Sequence, residues 1–600
     1  EFYSKYQKRR NVIYAGANDG MLHAFNGGFY DSYNKQFCRE IASGYDPLDE
    51  STSNDTPCAS TTSQPELGAE LWAYVPYNLL PHLYWLTETT YSHIYYVDQK
   101  PRIFDAKIFE PDTAVHINGW GTIMVVGMRF GGANITADLD KTVTTDDATS
   151  PTMKSAYLIF DITNPEDKPR LLGEIAMPNM GFSTSYPTMV VLRDGNHDGA
   201  YGDYVSAAPE AGENRWLLAF GSGPANASGA SDKSVLNVAD SSQNGKFYLL
   251  DLVQLGRYNK LESLTDSGTS TGVLKEGLYP YLTLSETNSF VSDPVTVDFD
   301  LDYNADAVYF GTVSGSAGNW TGKLRRIVID DRQSPLAWDA DSVLIDPGQP
   351  ITAPPAIAED DDGKHWIFFG TGRYFVDDDA TDVATQSYYG IKEPEATVTT
   401  TTSTGTVTKK EKTWDTVERS SGLLNVTNYN VYSGSPAKID ADGTKLTWSN
   451  LITQQRYKDG WYINFLDADT TGKKTIQHGE RNLGQAALLG GLLSFTTFIP
   501  SSDVCVAGGT SYLWALYYQT GTAFYQGILG TISKTYEGET MLLNIPKISL
   551  GEGLATSPNI HVGSENGSTV FVQTSTGDII RIEEANPLAT KSGKTSWKMR

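Results

Sequence analysis

The residues with the clearest chemistry are a run of oxygen-bearing side chains, Asp298-Phe-Asp300-Leu-Asp302-Tyr-Asn304-Ala-Asp306. Asp298, Asp300, Asp302, Asn304 and Asp306 fall at loop positions 1, 3, 5, 7 and 9. That spacing lets one turn bring alternate side chains around a hard cation, with position 7 offering its backbone carbonyl. Four carboxylates gathered in a partly buried turn repel one another unless a cation joins them. An all-oxygen set suits calcium better than magnesium, which keeps several of its waters. Position 12 is Tyr309, in place of the bidentate Glu of an EF-hand, and the flanks 295–297 and 307–310 read as strands. The expectation is an EF-hand-like calcium loop on a β scaffold. The competing reading is an alternating strand with its acids facing water.

A second run, Asp194-Gly-Asn196-His-Asp198-Gly-Ala200-Tyr-Gly-Asp203, is the second choice for calcium. Asp194, Asn196, Asp198 and Asp203 take positions 1, 3, 5 and 10, Ala200 takes position 7, and Gly199 stands at position 6, where such a turn needs glycine. The alternative is a Gly/Asp-rich hairpin turn. The acidic stretches 360–363 and 440–443 read as Asp-Gly hairpin turns. Asp377, Asp378, Asp379 and Asp382 form a further acidic cluster.

Catalytic signatures are missing. No His-Glu-x-x-His or Gly-x4-Gly-Lys-Ser/Thr occurs, and no two of the 8 histidines show metal-ligand spacing. His23, inside a strand-like Met-Leu-His-Ala-Phe, reads as structural. The chain has 3 cysteines and no Cys-x-x-Cys, which removes the usual zinc and thiol-redox readings. Cys38 and Cys58 flank a polar stretch, 39–57, that a disulfide would tie down in an oxidising compartment. Cys505 is left to pair with a cysteine outside this stretch of chain or to stay buried and free.

The elements that must position the loop are strands. Tyr, Phe, Trp, Thr and Val supply strands and 56 Gly supply turns, so the composition is that of an all-β protein. A unit recurs: an apolar strand, often ending in Gly, then a second strand. Seven such segments are legible: 11–25 with 70–75, 122–127 with 156–161, 215–221 with 246–251, 307–311 with 322–327, 365–370 with 387–391, then 460–464 with 492–496 and 512–516, and last 569–573 with 577–582. A hairpin cannot bury its apolar face alone, and radial packing of several sheets solves that problem. The fold class expected is all-β, a modified seven-bladed β-propeller with long loop insertions, in one domain over 1–600; two stacked sandwiches are the competitor. Ser/Thr-x-Pro steps at 185–187, 292–294, 352–354 and 556–558 precede candidate inner strands, where Pro is tolerated. The one helix candidate is 77–86. Insertions are expected at 36–65, at 134–153 and in a Thr-rich stretch of about 394–412, the last as an exposed hairpin.

The net charge of −26 repels phosphate backbones, so no nucleic-acid partner is expected, and no apolar run approaches the length of a transmembrane segment. The first residues lack a signal pattern, so an export signal is expected upstream.

The stretch 10–25 closely resembles the opening of the C-terminal domain of the PilY/PilC family, the type IV pilus tip-associated adhesins. The likeness continues through Glu70-Leu-Trp-Ala-Tyr-Val-Pro76, Phe369-Gly-Thr-Gly-Arg-Tyr374, Gly460-Trp-Tyr462, Gly479-Glu-Arg481, Pro500-Ser-Ser-Asp-Val-Cys505 and Gly508-Gly-Thr-Ser-Tyr512. The resemblance implies a seven-bladed propeller whose calcium ligands fall on Asp298, Asp300, Asp302 and Asp306. It implies an extracellular place at the tip of a fimbrium, the pilus, reached through the periplasm or outer membrane. The partners implied are minor pilins, a host or abiotic surface, and the protein's own N-terminal von Willebrand A-like domain, which is not in this stretch. The function implied is calcium-linked adhesion, pilus assembly and control of extension and retraction in twitching motility, without catalysis. No Arg-Gly-Asp integrin motif occurs. The alternatives are a quinoprotein-dehydrogenase-like propeller enzyme, suggested by Thr-Gly turns at 520–521 and 576–577, and a glycan-binding lectin-like propeller.

Overall fold

The protein, here as a computed structural model, is described over residues 1–49, 56–137, 150–192, 214–258, 281–329, 338–402, 405–470, 472–501, 508–562 and 568–584. It is a modified seven-bladed β-propeller. Each blade is a mainly antiparallel sheet built around one of the seven sequence segments; in blade five Leu423–Asn425 pairs parallel with Gly460–Asn464. Blade one joins Asn11–Gly16, Leu22–Asp31 and Glu70–Tyr74; blade two joins Arg102–Lys107, Trp120–Gly127, Tyr157–Asp161 and Arg170–Ile175. The central strands of blades three to seven are Arg215–Gly221, Ala307–Ser316, His365–Gly370, Leu492–Pro500 and Ser568–Gln573.

The two-residue period of a strand explains how blades stack. In Trp120–Gly127, Met124 and Val126 join Leu22 and Phe160 in the core shared with blade one. Ile123 and Val125 face the other way, onto Trp216, Leu218 and Phe220 of blade three. Both faces of the strand are therefore buried, and its sequence is an unbroken apolar run. The same pattern joins blades three and four, four and five, five and six, and six and seven. The glycines that end these strands are needed for close approach: a Cβ on Gly221 would lie 2.2 Å from the Val291 Cβ, and one on Gly311 would lie 2.4 Å from the Ile351 Cγ2. Between blades seven and one the described residues form no shared cluster, and Ile13 and Ile579 are 59% and 71% exposed.

Two expectations change. Gly460–Asn464 was assigned to the sixth segment but pairs with Ser387–Lys392, as an outer strand of blade five. An alternating strand reads the same whichever sheet it joins, and a long insertion separates it from its partner. That insertion, with Thr531–Tyr536 and Glu539–Asn544, builds an extra five-stranded sheet beside the ring. The helix expected at 77–86 is a 3-10 segment, Tyr77–Thr87, because Pro81 removes a backbone donor from its middle. Cys38 and Cys58 are joined by a disulfide with Cα atoms 5.1 Å apart. Cys505 lies outside the described residues. The Thr-rich insertion is a two-stranded hairpin, Glu395–Thr402 with Gly405–Lys412.

Candidate metal centre

The acidic run occupies a turn between paired strands of blade four. Val295–Val297 and Ala307–Ser316 are antiparallel, with Val297 opposite Ala307, and the Asp306 N–H donates to the Val297 carbonyl across 2.9 Å. Strand pairing thus fixes both ends of the 298–306 loop. Asp298, Asp300 and Asp306 each bring a carboxylate oxygen within 4.8 Å of the other two. Asp298 is only 3% exposed.

Backbone donors hold these carboxylates in place. Asp298 Oδ2 accepts from the Tyr303 N–H at 2.8 Å, and Asp306 Oδ2 from the Phe299 N–H at 2.5 Å. Among the described residues no Lys, Arg or His forms an ion pair with Asp298, Asp300 or Asp306. Burial, reinforced by the charges of Asp300, Asp298 and Asp302, pushes the Asp306 carboxyl up to about 6. Burial also raises Asp298, with Asp302 adding to the effect. These are the properties of a hard-oxygen cluster. Clustered, partly buried carboxylates fit a divalent ion such as calcium.

The group brought together is narrower than strict alternation implies. Asp302 is outside it, and its Oδ1 accepts from the Asn304 N–H at 2.8 Å. The cause is backbone: Leu301 and Tyr303 have φ of 60° and 73°, left-handed values that break the in-out sequence of side chains. Left-handed non-glycine residues cost roughly 1–2 kcal/mol each and gather in functional loops. The surroundings of Phe299 were not legible in the sequence: His365, Lys412 and Trp414 pack on it from far along the chain.

The second acidic run, Asp194, Asn196, Asp198, Ala200 and Asp203, lies outside the described residues. The acids at 360 and 440 cap their own turns, accepting from the Asp362 and Gly443 N–H groups. His23 sits between Glu70 at 2.6 Å and Asp19 at 2.9 Å, and the Glu70 bond raises its pKa. The turn at 520–521 seats against Trp461, whose Nε1 donates to the Tyr518 carbonyl at 2.7 Å, so its role in this structure is packing.

Several motifs quoted in the sequence reading form one buried polar junction. Arg373 Nε pairs with Asp379 Oδ1 at 2.8 Å, and Arg481 Nη1 donates to the carbonyls of Arg373 and Asp379. Glu480 accepts from Thr497, Trp514 and Lys547. These residues bolt blades five and six together.

No family model matches the chain. It is 24% identical over 586 residues to a type IV pilus biogenesis factor PilY1 homolog of Xylella fastidiosa, covering 96% of this chain and 35% of that protein. It is 24% identical over 640 residues to the type IV pilus biogenesis factor PilY1 of Pseudomonas aeruginosa strain UCBPP-PA14, covering 100% of this chain and 43% of that protein. The chain thus spans less than half the length of these curated relatives. Its fold matches the crystal structure of the Pseudomonas aeruginosa PilY1 C-terminal domain with a TM-score of 0.54 at 16% identity, over 98% of this chain and 95% of that one. With the same propeller fold and relatives that match along nearly all of its length, the chain is similar to the PilY1 type IV pilus biogenesis factors.

Proposed function

We propose that this chain is the calcium-binding propeller of a type IV pilus tip-associated protein, acting in pilus biogenesis and surface adhesion and in control of extension and retraction. The observation that carries the calcium part is the convergence of Asp298, Asp300 and Asp306 within 4.8 Å with no side-chain cation paired to them among the described residues. Asp302 and the Asn304 carbonyl are one loop rearrangement away and complete the oxygen set. The pilus part rests on the curated relatives, which are named as type IV pilus biogenesis factors. In this reading the protein works outside the cell, meets minor pilins and a host or abiotic surface, and performs no catalysis.

Calcium here acts as a rivet and a switch. Bound, it cancels the repulsion of three clustered carboxylates, of which Asp298 is buried and Asp300 exposed; released, it restores that repulsion at a strained loop. The test is a pull-down of minor pilins on the immobilised chain, in calcium and in chelator. Retention of a pilin in calcium, weakened by chelator, is expected. Failure to retain any pilin under both conditions would contradict the assembly role.

A further inference from the structure

The cation loop is packed against an element that ion binding does not require. Phe299, flanked by Asp298 and Asp300, meets the His365 ring edge-on at 4.3 Å, and Lys412 Nζ stands 3.9 Å from its ring centroid. Trp414 lies 6.4 Å from the same ring. Lys412 ends the Thr-rich hairpin, and Trp414 follows it. The entry of the hairpin is tied to the same spot: Glu395 Oε2 pairs with Lys364 Nζ at 2.7 Å, and its Oε1 lies 3.9 Å from His365 Nδ1. Lys412 Nζ lies 3.2 Å from that same His365 nitrogen. Burial, with the Lys412 charge beside it, lowers His365 to about 4, so its neutral ring accepts a hydrogen bond from the Lys412 ammonium.

Beneath this clamp is a buried ion pair. Arg326 Nη1 and Glu393 Oε1 are 3.2 Å apart, both fully enclosed, and the Tyr309 hydroxyl donates to Glu393 Oε2 at 2.5 Å. Tyr309 belongs to the strand that leaves the cation loop. Arg326 Nη2 donates to the Asp415 carbonyl at 3.0 Å, just past the hairpin. Both stems of the hairpin are therefore held by the cation loop, the strand that follows it and the neighbouring strand of blade five.

Above its stem the hairpin reaches blade five through Lys410 Nζ, which donates to the Asp362 carbonyl at 3.3 Å. Its strands pair with each other from Glu395 opposite Lys412 to Thr402 opposite Gly405, and among the described residues they pair with no blade. Its stem is what sets its direction. The Phe299 N–H is bonded to Asp306, so the ring cannot keep its place while the carboxylates on either side move apart.

We propose that cation occupancy of the 298–306 loop governs the seating of the 395–412 hairpin, through Phe299 clamped between His365 and Lys412. With a cation the three carboxylates close, Phe299 is fixed and the stem is held. Without one the loop relaxes, Phe299 shifts and the hairpin swings more freely. The hairpin then carries the state of the site to the outer surface of the ring. This inference rests on the calcium reading of the loop. Exposed elements of this kind open locally at the low end of the stability range, where a bound ligand shifts the equilibrium most visibly.

Amide hydrogen exchange on the intact chain, with and without calcium, tests it, alongside calorimetric measurement of calcium binding on the same samples. Calcium is expected to slow exchange across 395–402 and 405–412 by roughly tenfold, within the limit of about 100-fold set by an ion at 100 times its dissociation constant. Phe299→Ala should keep calcium binding and lose the hairpin response; Lys412→Gln, on the other side of the contact, should lose it too. Calcium binding with unchanged hairpin exchange overturns the inference and leaves the site intact. Absence of calcium binding overturns the reading of the site and the inference with it.

Discussion

Two acidic regions of this propeller solve the same electrostatic problem in opposite ways. At the junction of blades five and six, Asp379 is buried with Arg373 at 2.8 Å and accepts from the Phe375 and Val376 N–H groups. In the loop of blade four, Asp298, Asp300 and Asp306 are drawn together with backbone donors, and the charges that raise the Asp306 carboxyl are other carboxylates. The first region carries its own counter-ion and is a permanent bolt. The second has no such bolt among the described residues. A buried carboxylate by itself says little about function; the presence or absence of a fixed partner says much more.

The largest effect that can separate the two regions is removal of the built-in cation. Arg373→Met leaves Asp379 buried and unpaired, and is expected to destabilise the protein by about 3–5 kcal/mol, read in denaturant unfolding with or without calcium. An unfolding curve that matches the parent would erase the distinction.

Protons provide the next test. The folded Asp306 carboxyl, at about 6, lies above its unfolded value, so the calcium-free folded state binds this proton more tightly than the unfolded chain. Its favourable contribution is present at low pH and is lost as pH rises through about 6. Calcium needs the deprotonated form, so calcium affinity should run the other way, level above pH 6 and falling about tenfold per unit below it. Calorimetric titrations at pH 7.5 and 5 give the comparison. An affinity that does not change between them would remove Asp306 from the site.

A smaller change of opposite sign to the Arg373 result is expected in chelator. Asp298→Asn relieves repulsion in the cation-free loop, so thermal unfolding should show stability unchanged or raised, by up to about 1 kcal/mol. A loss comparable to that of Arg373→Met would mean the loop acids are structural bolts as well. The smallest effect belongs to Asp302, which must first give up its bond to the Asn304 N–H. Asp302→Ala should weaken calcium by roughly threefold to tenfold, less than Asp298→Ala, each tenfold being about 1.4 kcal/mol.

Much of this was legible in the residues, and the gaps have physical causes. The paired apolar segments were visible because blade strands are buried on both faces, which leaves unbroken runs such as Thr-Ile-Met-Val-Val at 122–126. Strand 460–464 was placed one blade late because alternation records burial and not partnership. The extra sheet was missed because its strands, 429–447 and 531–544, are split across the sixth blade. Asp298, Asp300 and Asp306 stood out by spacing alone. The turning-away of Asp302 did not, since it follows from two left-handed residues, Leu301 and Tyr303, that neither glycine nor asparagine announces. The clamp on Phe299 draws on residues some 66 to 115 positions further along the chain (365 − 299 and 414 − 299), a contact made only by blade stacking.

The account turns on whether the blade-four loop needs a divalent ion. Calorimetric titration of calcium into the intact chain at pH 7.5, repeated with Asp298→Ala/Asp306→Ala, tests this most directly. One site that takes calcium in preference to magnesium, abolished in the double variant while the propeller stays folded, is the predicted result. Equal binding in both proteins, or none in either, would contradict it.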